Sequence, residues 1–111
     1  MTVQAGQIYY AKKAVLGKST YARPLLVLRV DGNSALVTPL STQFELFEQG
    51  DLALYGSAEE IKKTGLKKES YLMADREFKV ALEFFKDAEY LGEISGSIED
   101  RVENWWGEAL K

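Results

Sequence analysis

One pair of apolar runs constrains this chain more than anything else in it. Pro24 opens Leu25-Leu26-Val27-Leu28-Arg29-Val30. Asp31-Gly32-Asn33 follows as a turn, and Ala35-Leu36-Val37-Thr38-Pro39-Leu40 returns. Four consecutive apolar residues, rich in β-formers and free of helical spacing, suit a strand covered on both faces. A proline at the first strand position costs the ladder little, and the Asp-Gly-Asn turn reverses the chain tightly. The pair therefore reads as a β-hairpin, its first strand suited to burial on both sides; the pattern alone does not fix the topology around it.

The rest of the chain reads as a series of further short elements. Gln7-Ile8-Tyr9-Tyr10-Ala11 is a first strand, with its two tyrosines on opposite faces so that one is free to line a groove. Asp51-Leu52-Ala53-Leu54-Tyr55 and Ser70-Tyr71-Leu72-Met73-Ala74 read as further short strands. Ser57-Ala58-Glu59-Glu60 has the form of a capping box opening a short helix that Gly65 ends. From Lys79 to Leu91 the pattern fits a helix through Val80, Phe84, Ala88 and Leu91, and a strand through Phe78, Val80 and Leu82. Ser97 is expected to cap a last helix with Ile98, Val102, Trp105, Trp106, Ala109 and Leu110 on its apolar face. Adjacent tryptophans on a helix diverge by about 100°, so the pair reads as core and contact surface rather than a base-stacking platform. Short strands, two short helices and tight turns give a mainly β, α+β domain. Its shape is a small barrel or half-open roll with helices on its outside. The 111 residues fit one domain spanning 1–111.

Composition removes many chemistries. The chain has no cysteine, which excludes disulfides and thiolate catalysis, and no histidine, the commonest general base and transition-metal ligand. With acids scattered along the chain, neither a metal site nor a cofactor is expected. The first residues lack a basic start and an apolar run, and no stretch is long enough to span a bilayer, so cytoplasm and no membrane contact are expected. A net charge of −3 is unlike that of a general nucleic-acid coat. The charge is unevenly spread, however. Every charged residue between Ala11 and Val30 is positive, namely Lys12, Lys13, Lys18, Arg23 and Arg29, and a second cluster follows at Lys62, Lys63, Lys67 and Lys68. Each lysine alone reads as solvated surface, but two such clusters meeting in the fold would serve phosphate.

Two features carry possible chemistry. Arg23 stands between a polar loop and the buried strand, where a guanidinium held by rigid backbone can grip a phosphate with two prongs. Taken alone, it also suits a surface arginine guarding a strand edge. Ser41-Thr42-Gln43 leaves the partner strand and taken alone reads as a turn. The antiparallel hairpin brings Arg23 and Ser41-Thr42 to the same end.

Arg23-Pro24-Leu25-Leu26-Val27-Leu28 and Val37-Thr38-Pro39-Leu40-Ser41-Thr42-Gln43 resemble the two signature strands of the MazF/PemK family of toxin endoribonucleases. Gly6, the stretch Gly65-Leu66-Lys67-Lys68-Glu69-Ser70-Tyr71, Leu72-Met73-Ala74-Asp75 and Leu91-Gly92-Glu93-Ile94-Ser95 fall in that family's order, so the resemblance covers nearly the whole chain. It implies a small SH3-like barrel of the plasmid-maintenance toxin type, a homodimer, and metal-free cleavage of single-stranded RNA. The ribose 2′-hydroxyl would attack the adjacent phosphate and leave a 2′,3′-cyclic phosphate. By the same resemblance Arg23 is the catalytic arginine. Ser41, with Thr42 as neighbour and substitute, would hold a phosphate oxygen, and Asp75 is a possible base or else a turn carboxylate. Lys12, Lys13, Lys18 and Gln43 would contact RNA, and a cognate antitoxin peptide would compete for the same groove. The chain departs from the pattern at Gln7, in the loop before Arg23, and at Met73, where one branch of the family carries arginine. A second class stays open on the same fold: a catalytically silent module or one resembling gyrase poisons. A third is an interaction protein using its acidic last helix.

Overall fold

The computed structural model describes residues 2–11 and 23–110. Within them the chain is a mixed α+β fold, a seven-stranded antiparallel sheet with short helices and a C-terminal helix. The strands are β1 (Gln7–Ala11), β2 (Arg23–Asp31), β3 (Ser34–Ser41), β4 (Leu52–Ala53), β5 (Tyr71–Leu72), β6 (Phe78–Ala81) and β7 (Glu89–Glu93). The helices are α1 (Ala58–Thr64) and α2 (Gly96–Trp106), with single turns of 3-10 helix at Phe44–Leu46 and a longer one at Leu82–Asp87.

The expected hairpin is β2–β3, and the strand order places it in the middle of the sheet. Leu25 through Leu28 are all buried: Leu26 and Leu28 face one core with Leu40, Leu72, Ile98 and Val102, and Leu25 and Val27 face a second with Tyr9, Val37 and Phe85. Burial of each such side chain contributes about 1.5–3 kcal/mol, so this strand alone anchors both layers. The register skips one residue between Val27 and Arg29, a bulge that bends β2 and sharpens its twist.

The far edge of β3 is shared. Its first half, Ser34 to Val37, pairs with β6, and its end, Leu40 and Ser41, pairs with β5. Strand order therefore runs β4-β5-β3-β2-β1-β7, with β6 beside β3 off that path. Among the described residues the end strands β4 and β7 do not pair with each other, so the ladder remains open.

Several local expectations hold. The capping box forms in full: Ser57 Oγ accepts from the Glu60 amide at 3.2 Å while Glu60 accepts from the Ser57 amide at 2.8 Å. Gly65 ends α1 in the left-handed region, and it has to be glycine for a second reason. A Cβ there would fall on the Leu91 carbonyl, just as one on Gly92 would fall on the Lys63 carbonyl, so α1 and β7 touch backbone to backbone. The ambiguous stretch after Lys79 contains both structures, a strand to Ala81 and then 3-10 helix to Asp87.

Others need correction. The strands expected over 51–55 and 70–74 are two residues each, because Asp51 and the residues after Leu72 are committed to turns. Ser95, not Ser97, stands at the cap of α2, without a side-chain bond of its own. Ser97 is inside the first turn, where its amide and hydroxyl donate to Glu60 at 2.6 and 2.7 Å, so α1 caps α2. The helix stops at Gly107 in the left-handed region, leaving Ala109 and Leu110 beyond it. The two tryptophans pack on the first core; Trp105 donates to the Gly50 carbonyl at 2.6 Å, and Arg29 lies 6.0 Å from the Trp106 ring. Gln7 also has a structural task, since its Oε1 accepts from the buried Tyr9 hydroxyl at 2.8 Å and from the Gln4 amide.

Candidate functional site

The end of the central hairpin is where chemistry-bearing side chains converge. Arg23 is the first residue of β2 and pairs with Ala11 of β1, while Ser41 is the last residue of β3 and pairs with Tyr71 of β5. Leu25 lies opposite Pro39, so the antiparallel register carries Arg23 to the level of Ser41. Both line a groove of about 490 Å³ together with Gln43, Asp75, Arg76, Glu48 and Asp51. Four of the residues expected at the site, Arg23, Ser41, Gln43 and Asp75, thus share one groove although they are up to 52 positions apart in the chain (75 − 23).

Each is held by local bonds. Ser41 Oγ accepts from the Gln43 amide at 3.1 Å, which leaves its proton available to donate to a ligand oxygen. The Tyr71 hydroxyl donates to the Gln43 carbonyl at 3.0 Å, so the backbone of Gln43 is held at both its amide and its carbonyl. Asp51 is a structural clamp: its carboxylate accepts from the Ala74 amide at 2.8 Å and the Glu48 amide at 2.9 Å, tying the loop after β3 to the turn after β5. That turn places Asp75 at φ 57°, the left-handed region that aspartate tolerates better than most side chains. Asp75 thus takes part in a turn whose Ala74 amide is bonded by Asp51.

Arg23 is half-buried, and its Nε is fully shielded from solvent with no hydrogen-bond partner among the described residues. A buried donor left unmade costs about 1–3 kcal/mol, more when charged, so this group calls for an acceptor. Formal charge in the groove is mixed: Arg23 and Arg76 face three carboxylates, Glu48, Asp51 and Asp75. Beside it, Phe44, Phe47 and Tyr71 form an aromatic cluster with centroids 5.0 to 6.1 Å apart. Leu46 and Phe47 remain 61% and 40% exposed at its rim.

Thr42 goes elsewhere. Successive residues at a strand end point to opposite sides, and Thr42, like Pro24, lines a neighbouring groove of about 370 Å³ with Tyr10, Lys67 and Lys68. Among the residues lining the first groove, Ser41 is present and Thr42 is not. Tyr10 is the tyrosine of the pair that meets a groove, while Tyr9 is buried. Lys12, Lys13 and Lys18 lie outside the described residues. Arg76 and Glu48 were missed in the sequence; the adjacency of Arg76 to Asp75 is the one signal that points to it. No group of three acidic side chains is placed to hold a metal ion among the described residues, and no helix there is long and apolar enough to cross a membrane. No family model matches the chain, and a search of curated proteins returns no match.

Proposed function

We propose that this chain is a MazF/PemK-like toxin endoribonuclease, its curved sheet a small SH3-like barrel working as a homodimer, which cuts single-stranded RNA without a metal. The observation that carries this reading is that Arg23, half-buried and with its Nε unpartnered among the described residues, lines the same groove as Ser41 and Asp75. A phosphodiester suits those three groups. Arg23 grips the phosphate and stabilises the doubly charged phosphorane, and Ser41 donates to a non-bridging oxygen. Asp75 takes the proton of the 2′-hydroxyl as its oxygen bonds to phosphorus. The bond to the 5′-oxygen breaks, that oxygen takes up a proton from solvent water as Asp75 gives up its own to solvent, and a 2′,3′-cyclic phosphate remains.

An acidic antitoxin peptide would compete for the same groove, with exposed Leu46 and Phe47 as its apolar contacts. One observation favours a second reading, a catalytically silent binding module. Three carboxylates against two guanidinium groups make the groove a weak site for a polyanion by itself.

Arg23→Ala separates the two. Cleavage of a mixed-sequence RNA should fall a hundredfold or more, on the order of a lost oxyanion donor, with the circular-dichroism spectrum unchanged. Wild-type rates in that variant would remove Arg23 from the mechanism, and RNA binding without any cleavage by the wild type would favour the silent module.

A further inference from the structure

The groove that takes Thr42 is unassigned by the reading above, and its chemistry complements the first. Arg23 and Ser41 line one groove; their chain neighbours Pro24 and Thr42 line the other. The end of the hairpin is thus a ridge two residues wide with a groove on each flank. In the second groove Lys67 and Lys68 face one carboxylate, Glu89, so cations outnumber acids there, the reverse of the first. Half-buried Tyr10 adds an aromatic side chain to its wall, and the Thr42 hydroxyl stands at the ridge.

We propose that this Lys67/Lys68 groove is a second nucleotide subsite, holding the phosphate next to the one being cut, with Tyr10 as a stacking surface for its base. It rests on the first groove being an RNA site. A strand crossing the ridge lays one phosphate against Arg23 and a neighbouring one against the lysines. Chemistry and affinity are divided accordingly: the mixed-charge groove reacts, and the cationic groove supplies the attraction that an acidic protein otherwise lacks. The occupant is a single strand several nucleotides long, since a lone nucleotide reaches only one flank. Base–aromatic stacking is tolerant of sequence, so this subsite contributes affinity without dictating the cleaved base.

The test uses the full chain with Lys67→Gln and Lys68→Gln together, and Lys79→Gln with Lys86→Gln as a control of equal charge change at exposed positions outside both grooves. Fluorescence anisotropy with a labelled single-stranded RNA of about a dozen nucleotides reads binding against salt. Each single-strand phosphate contact contributes about 0.7 to the log–log slope, so the groove variant should lose about 0.7 from it and bind at least several-fold more weakly. The control should keep the wild-type slope. KM should rise with kcat unchanged on the long RNA, while cleavage of a dinucleotide should not change. Equal slopes in the groove variant and wild type, or equal loss in the control, would overturn the subsite, as would a wild type that binds no RNA. Weakened binding in a protein that never cleaves would keep the subsite and reject only the nuclease chemistry.

Discussion

Asp75 occupies a left-handed backbone position in the same groove as Arg23, and those two facts pull its interpretation in different directions. The conformation alone would explain an aspartate there, as a turn residue. Yet the Ala74 amide of that turn is bonded by Asp51, and Asp75 itself lines the groove. Asp75→Gly separates these roles, because glycine adopts φ 57° without strain. Stability should be unchanged or slightly higher, within about 1 kcal/mol, while RNA cleavage drops by two orders of magnitude or so, the usual scale of a lost general base. Undiminished cleavage in a folded Asp75→Gly protein would leave the carboxylate only its turn role. Arg76 belongs to the same scale. It adds a second guanidinium to the groove, and a sequence scanned for arginine before the aspartate passes over one that follows it.

Between elements, the sharpest joint is Glu60. Its carboxylate accepts from the Ser57 amide and from the Ser97 hydroxyl and amide, binding α1 to the first turn of α2. Those donors, the Ser57 amide first among them, hold its carboxyl down from the ordinary 4.5 to about 2. The folded chain therefore keeps this charge through a range where the unfolded chain takes up a proton. The contribution is complete above pH 4.5 and disappears as pH falls toward 2. Glu60→Gln should lower Tm at neutral pH and flatten the fall of Tm between pH 4.5 and 2; thermal melts that stay parallel to wild type across that window would refute the joint. Half of this was legible in the sequence. Ser57 and Glu60 are three residues apart, so the capping box is a local pattern, whereas Ser97 is 37 positions from Glu60 and no periodicity links them. The same limit explains the misplaced cap of α2: a serine before an apolar face looks like a cap, and only the fold reveals that its donors point into another helix.

At the scale of the molecule, β2 decided most of what the sequence could tell. Four buried residues in succession demand cover on both faces, and the two cores on either side of Leu25–Leu28 supply it. The meeting of Arg23 with Ser41 follows from that hairpin, so half of the first groove was legible too. The other half arrives through β5, whose pairing with the end of β3 brings Asp75 and Arg76 from far along the chain; a two-residue strand leaves almost no periodic trace. A mixed-charge groove and a lysine groove thus flank the end of one hairpin, an uneven distribution that a net charge of −3 conceals. The central claim is that this ridge cuts RNA by attack of the ribose hydroxyl. It is tested most directly by incubating the protein, in excess chelator, with a single-stranded RNA and with the same RNA carrying one 2′-deoxy nucleotide at the cleaved position. The expected result is cleavage of the first to a 2′,3′-cyclic phosphate end and no cleavage at the deoxy position of the second. Cleavage that requires magnesium, or that proceeds equally at the deoxy position, would contradict it.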